Sequence, residues 1–298
     1  MAGGGDTEDS RWDDALKYRL IVGPVHFGAM YKFADGNGGC YSASAGWTDT
    51  TCTPESAHNN AFGFDLGGTD GKFSADIVFQ HYNQAISVLN PLLGPQSPAA
   101  PYQSTTDSIN TNPINGGTNL IDPNDTVYGI VTDNNAVMVA AKYTLDPFKV
   151  FAGYEYIWQN NPKDPLGVGA SDQGGYIMSG VEDNNLDSEK LVQIWWTGAK
   201  YTYRSKTDIT VAWYQQRQND FRVPQTCATG NFRASCAGTL NEGSLYVTHH
   251  FTKRFDGFAG IAYSYVSGGL AIAIPHGPGV PYNSDNNFAP TLGGRFTF

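Results

Sequence analysis

The chain has few basic residues, no long apolar run and few cysteines for its length. In 298 residues, 18 Lys and Arg stand against 28 Asp and Glu, which gives a formal net charge of -10. A nucleic-acid-binding protein needs a basic surface to neutralise phosphates, so nucleic acid is excluded as a partner. No stretch approaches the roughly 20 consecutive apolar residues of a membrane-spanning helix, so any membrane span would consist of strands.

The N-terminal segment does not have the pattern of a signal peptide. The segment MAGGGDTEDS has neither the basic nor the apolar part of a signal peptide. Either the chain is cytoplasmic, or it begins after the true N-terminus of the protein. The cysteines bear on this choice because disulfides form in oxidising compartments.

Four cysteines lie in two close pairs and do not show the Cys-x-x-Cys spacing that is usual in zinc sites. We predict two local disulfides, Cys40 with Cys52 and Cys227 with Cys236. The alternative is four unpaired thiols. We predict no metal and no cofactor.

Apolar and polar residues alternate with a period of two. In the segment FKVFAGYEYIW, Phe148, Val150 and Tyr154 share one face, while Lys149 and Glu155 lie on the other. Such alternation predicts strands with one lipid-facing and one water-facing side. The clearest such segments are residues 25–33, 72–82, 136–145, 148–158, 208–216 and 258–266.

The predicted connections alternate between short turns and long polar loops. The short turns lie at about residues 23–24, 67–71, 146–147, 204–207 and 253–256, and the long loops at about 34–60, 83–135, 159–189, 219–242 and 267–287. This parity is typical of an up-and-down outer-membrane barrel. We therefore predict an all-β fold, a transmembrane antiparallel up-and-down β-barrel, with about eleven strands present.

Both ends of the chain carry motifs of a known family. The C-terminal FAPTLGGRFTF places Phe296 and the terminal Phe298 on one face, which resembles the assembly signal of outer-membrane proteins. The run KRFDGFAGIAYSYVSGGLA resembles the last hairpin of general porins of Gram-negative proteobacteria. The N-terminal GGGDTEDSRWDDALKY is similar to the end of their inward-folded third loop and the next strand, although Asp14 and Ala15 stand where Asn and Ser are usual.

The resemblance implies a homotrimeric outer-membrane porin, a passive water-filled channel for small hydrophilic solutes and ions. The net charge of -10 adds the expectation of a weak preference for cations. Its partners would be outer-membrane lipids, lipopolysaccharide and the barrel-assembly machinery. The chain would be the C-terminal portion of one porin domain, residues 1–298. Residues 1–13 would end the constriction loop and residues 14–298 would form strands and loops, while roughly five earlier strands of a barrel of about 16 would be absent.

The resemblance assigns Asp6, Glu8 and Asp9 to the acidic side of the pore constriction. The alternative is a solvated acidic N-terminus. Strand parity predicts further charges that face the lumen, namely Lys17, Arg19, Lys32, Asp65, Asp76, Lys142, Lys149, Glu155, Lys200 and Arg295.

Catalytic motifs are absent from the sequence, so we expect no enzyme. Asp13 and Asp14 are adjacent in an extended segment and point to opposite faces, as do His249 and His250. Two alternatives stay open. One is a substrate-selective porin for a sugar or an organic acid, and the other is a soluble all-β carbohydrate-binding protein or enzyme.

Overall fold

The computed structural model describes residues 14–34, 58–89, 127–164, 169–173, 176–183, 186, 188–221, 235–271 and 285–297. These residues form strands and one 3-10 turn, Gly269–Ala271. The strands are β1 Ala15–Val22, β2 Val25–Lys32, β3 Ala61–Asp70, β4 Phe73–Leu89, β5 Val127–Leu145, β6 Phe148–Asn160, β7 Gly169–Gln173, β8 Tyr176–Asp183, β9 Lys190–Tyr203, β10 Thr207–Gln218, β11 Gly238–His250, β12 Phe255–Gly268 and β13 Asn286–Phe296.

Eleven strands form one antiparallel up-and-down sheet in chain order. The order is β1-β2-β3-β4-β5-β6-β9-β10-β11-β12-β13, and each strand pairs with the next. Such a path consists of hairpins alone and needs no crossover connection. The predicted all-β, up-and-down fold of about eleven strands is confirmed.

Two strands lie off this path, inside the segment that the sequence predicts as a long loop. β7 and β8 form a small hairpin, and β8 pairs parallel to β5. The prediction that 159–189 is entirely loop was wrong because the segments GASDQ and YIMSGVED do not alternate regularly between apolar and polar residues.

Strands β4 and β5 also extend well into the predicted 83–135 loop. β4 continues through a bulge between Tyr82 and Ala85, where Gln84 has a φ of 51°. Polar residues on either side of the bulge suggest a loop by composition. The Gln84 side chain accepts from the His58 backbone N–H at 2.8 Å and donates to the Asp164 carbonyl at 2.6 Å, so its polar groups are satisfied at the bulge.

The short connections join strands with little or no gap in pairing. β1 and β2 meet through Gly23 and Pro24, and Val22 pairs with Val25. Gly23 has a φ of 58°, a conformation that glycine adopts without a steric penalty. The turn predicted at 67–71 is tighter than expected, since β3 runs to Asp70 and only two residues separate it from Phe73.

The buried apolar clusters of the described residues are small. One contains Ala136, Ile157, Val192 and Ile194, with Trp196 packed against it. A second contains Ala61, Tyr82 and Ala85. Among the described residues, no helix is long and apolar enough to cross a membrane.

Candidate functional site

The strand register divides the sheet into two chemically distinct faces. Directly paired residues of antiparallel strands share a face, so a row can be followed across the sheet. Arg19 pairs with Gly28, which pairs with Asp65, and the same row reaches Glu155 on β6. All ten charges predicted to face the lumen fall on this side, which we call the charged face.

The opposite side, the apolar face, exposes large hydrophobic side chains. Leu292 is 85% exposed and Leu16 is 67% exposed. In water such a surface is unfavourable, whereas lipid tails solvate it well. Other exposed members are Leu20, Phe62, Phe64, Leu66, Phe73, Ile77, Val139, Val150, Val211, Trp213, Leu245, Ile261, Tyr263, Phe288 and Phe296.

An ion-pair network crosses the charged face beside the short turns of β9 to β13. Lys200 Nζ donates to Asp208 Oδ2 at 2.7 Å, and Thr202 donates to Asp208 Oδ1 at 2.7 Å. Next to this pair, Asp256 accepts from Arg295 Nη2 at 2.5 Å and lies 2.7 Å from His250 Nδ1. His250 Nε2 lies 3.7 Å from Asp208, so the network spans five strands.

A second group of opposite charges lies on the charged face of β2 to β4. His26 Nε2 is 2.9 Å from Asp76 Oδ1 and 3.6 Å from Asp65 Oδ2. The side chains of this group cover Gly28 and Gly67, where a Cβ would overlap them. The small glycines therefore leave room for charged groups to lie along the wall.

At the end of the sheet near the long connections, the charged face carries buried polar residues. Lys32, predicted to face a lumen, is only 5% exposed, and its ammonium donates to Asn59 O at 3.2 Å. On the parity of the opposite face, the Asp133 carboxylate accepts from the backbone N–H groups of Gln84 at 2.9 Å and Lys163 at 3.0 Å. These contacts tie the strand ends together.

Aromatic side chains on the charged face were not among the predicted site residues. Phe151, Trp196, Tyr246 and Phe258 all share this side. Each ring covers a glycine of the neighbouring strand. Period-two alternation gives the face of each ring but not the residue opposite it, because the register between strands is not visible in the sequence.

The adjacent histidines diverge, as predicted. His249 contacts the Phe251 ring at 4.6 Å on the apolar side, while His250 lies in the ion-pair network. Among the described residues, no group of three or more His, Cys, Asp and Glu could hold a metal ion.

Several predicted residues lie outside the described residues: Asp6, Glu8, Asp9, Cys40, Cys52, Cys227 and Phe298. Cys236 is described; it is 1% exposed and disulfide-bonded. Its pairing with Cys227 stays a prediction, as does the bridge between Cys40 and Cys52. Phe296 lies at the end of β13, 55% exposed on the apolar face.

Comparison with known proteins gives a fold but no family. No family model matches the chain, and no curated protein matches it. Among solved structures, the chain is similar to the anion-selective porin from Comamonas acidovorans, with a TM-score of 0.52, 10% identity and coverage of 96% of this chain. It is also similar to OmpT, an outer-membrane protein of Vibrio cholerae solved in a trimer form, with a TM-score of 0.50, 13% identity and 98% coverage.

The chain spans 60% of the first of these structures and 67% of the second. At such identities the similarity establishes the fold alone. The fold is that of the outer-membrane β-barrels, which agrees with the division of the sheet into two faces. A total of about sixteen strands stays a prediction.

Proposed function

We propose that this protein is an outer-membrane porin, a water-filled channel for passive diffusion of small hydrophilic solutes and ions, and that it is not an enzyme. One observation carries the proposal. The exposed large hydrophobics lie almost entirely on one face of the sheet, and the charges follow the other face.

The two faces of the sheet require different solvents. Arg295 is 69% exposed in its side chain, whereas Phe288 and Leu292 beside it on β13 are exposed on the opposite face. A soluble all-β protein would bury its apolar face in a core, as β-sandwiches do. A sheet that exposes apolar side chains on one side and charges on the other is typical of a barrel with lipid outside and water inside.

The proposal includes a charge preference. The net charge of -10 favours cations in the channel, and Asp6, Glu8 and Asp9 would form the acidic side of the constriction. The Comamonas acidovorans neighbour is described as anion-selective, so the sign must be measured on this protein. A reversal potential of cation sign in a salt gradient is expected.

The proposal also includes an assembly and a location in the outer membrane. The trimer form of the Vibrio cholerae structure supports a homotrimer. Outer-membrane lipids and lipopolysaccharide would contact the apolar face, and the barrel-assembly machinery would bind the C-terminal signal of Phe296 and Phe298. Replacing Phe298 with Ser should reduce the amount of folded protein in the outer membrane.

Planar-bilayer recordings of the full-length gene product test the channel. We expect stepwise current increments of uniform size in concentrated potassium chloride. Ala262, on the charged face, and Ala259, on the apolar face, lie three residues apart on β12 and give a matched pair. Ala262→Trp should lower the unit conductance, whereas Ala259→Trp should leave it unchanged.

Each alternative outcome has a definite meaning. A correctly folded protein that produces no current would show that it is not a channel. If Ala259→Trp lowered the conductance and Ala262→Trp did not, the faces would be assigned the wrong way round. Recovery of the native protein from the aqueous fraction without detergent would favour a soluble carbohydrate-binding protein.

A further inference from the structure

Four aromatic rings lie along the wall of the charged face and do not project from it. Each covers the glycine directly opposite on the next strand: Phe151 covers Gly198, Trp196 covers Gly153, Tyr246 covers Gly260 and Phe258 covers Gly293. A Cβ at Gly293 would lie 2.5 Å from Phe258 Cζ. Facing Cβ positions are only about 5 Å apart, so a ring whose far end reaches its neighbour lies across the sheet.

This arrangement exposes ring surface without blocking the space in front of the wall. Tyr246 is 38% exposed, and its ring lies 5.6 Å from that of Phe258. Tyr214 adds a fifth ring, since it pairs directly with Trp196 on the same face. The rings therefore extend over the strands from β6 to β13.

Hydrogen-bonding groups border the rings. Glu242 pairs with Tyr214, and Ser244 lies on the same face of β11 between Glu242 and Tyr246. Glu242 and Tyr246 are four residues apart, which corresponds to about 13 Å along a strand. A single sugar ring fits between them with room for its hydroxyl groups.

We propose that these rings form a binding surface for a carbohydrate that passes through the channel. This inference rests on the proposed porin function and names its solute class. A pyranose has a flat face of C–H groups that packs on an aromatic ring, while its hydroxyl rim donates to carboxylates and accepts from hydroxyls. Small-molecule sites combine aromatic surface with a few such polar groups in the same way.

The charges beside the rings favour a neutral sugar over an organic acid. Glu242 pairs with Tyr214, and Glu155 lies one row from Trp196. At the other end of the surface Lys142 pairs with Phe151, so acidic and basic groups both border the rings. The nearby Lys200 ammonium is already paired with Asp208 at 2.7 Å. A solute with hydroxyl groups and no charge satisfies these side chains best.

Current block by neutral sugars tests the proposal on the full-length channel. Glucose, sucrose and raffinose are added at rising concentration, with benzoate as the acidic comparison. We expect saturable block by at least one sugar. Tyr246→Ala and Phe258→Ala should each raise the half-blocking concentration about tenfold, and Tyr246→Leu should do the same while keeping apolar volume.

The matched control is Tyr263→Ala, which removes a ring of similar size that is 51% exposed on the apolar face of β12. It should leave the block unchanged. All variants must first show wild-type circular dichroism and form channels in the bilayer, and the block of each is expressed relative to its own unblocked current.

The outcomes separate this inference from the channel function. A channel that conducts ions without saturable block by any of the three sugars, or that only benzoate blocks, overturns the carbohydrate site and leaves the porin intact. Equal effects of Tyr263→Ala and Tyr246→Ala also overturn the site. Absence of current in folded protein overturns the channel function itself.

Discussion

The two faces of the sheet use aromatic residues in different ways. On the apolar face, rings contact one another, as Phe148 contacts Tyr201 at 4.9 Å and Phe64 contacts Phe79 at 5.3 Å. On the charged face, rings lie over glycines of the next strand. In the proposed porin, lipid would solvate the outer side of the first kind of ring, whereas rings of the second kind would lie close to the wall and leave the channel open. The same residue type therefore serves packing on one side and the shape of the wall on the other.

A charge introduced on the apolar face should have the largest effect on stability. Leu245 and Ser244 are neighbours on β11, and they lie on the apolar and charged faces respectively. We expect Leu245→Arg to lower the free energy of unfolding by about 2–4 kcal/mol, because it places a guanidinium in hydrocarbon. Urea titration of the protein in lipid vesicles measures this change in the free energy of unfolding.

Ser244→Arg is the matched control for that change. It introduces the same side chain at the same height on the water-facing side, so we expect a change in stability of no more than about 1 kcal/mol. Equal destabilisation by both substitutions would contradict the division into a lipid face and a water face.

The glycines opposite the rings of the charged face provide a second test, in which the expected effect is smaller. The three atoms nearest to a methyl group at Gly153 all belong to the Trp196 indole, so Gly153→Ala must displace that ring from the wall. Overpacking of this kind costs about 1–3 kcal/mol, and the displaced ring should also reduce the unit conductance. The double variant with Trp196→Ala should restore the conductance.

Gly243 supplies the control because nothing lies within 4 Å of the position that its Cβ would occupy. Gly243→Ala on the same sheet should leave conductance and stability nearly unchanged. If Gly153→Ala behaved like Gly243→Ala, the close contact between Trp196 and Gly153 would be unimportant in the native protein.

The sequence predicted the backbone framework well, because alternation and loop parity are repeated in every hairpin. Lys149 and Glu155 alternate with Phe148 and Val150, and the structure places them on opposite faces. The residues that face one another across the sheet could not be predicted, because their pairing depends on the register between segments that are distant in sequence. Nothing local in the sequence reveals that Phe258 faces Gly293 or that Asp256 faces Arg295.

The buried environment of Lys32 illustrates the same limit. Strand parity gives the direction of a side chain and not its height along the strand. Lys32 lies on the charged face, as parity indicates, yet a cation–π contact at 5.8 Å to Tyr82 and the Asn59 carbonyl enclose its ammonium. Tyr82 and Asn59 are distant in sequence, and no short-range pattern links them to β2.

The smallest expected effect concerns charge on the water-facing side alone. Lys149 and Lys200 face each other across β6 and β9, and Asp208 neutralises the second. Asp208→Asn removes this compensation, so the reversal potential in a potassium chloride gradient should shift toward anions. Because the pair is partly exposed, the loss of stability should stay within about 1 kcal/mol.

Asp70→Asn is the control for this substitution, since it makes the same chemical change at the exposed end of β3, on the parity of the apolar face. A potential that shifts for Asp208→Asn and not for Asp70→Asn would place Asp208 in the ion path. Equal shifts would mean that ions respond only to the total charge of the protein. In that case the ordered pairs along β9 to β13 would stabilise the wall without selecting the solute.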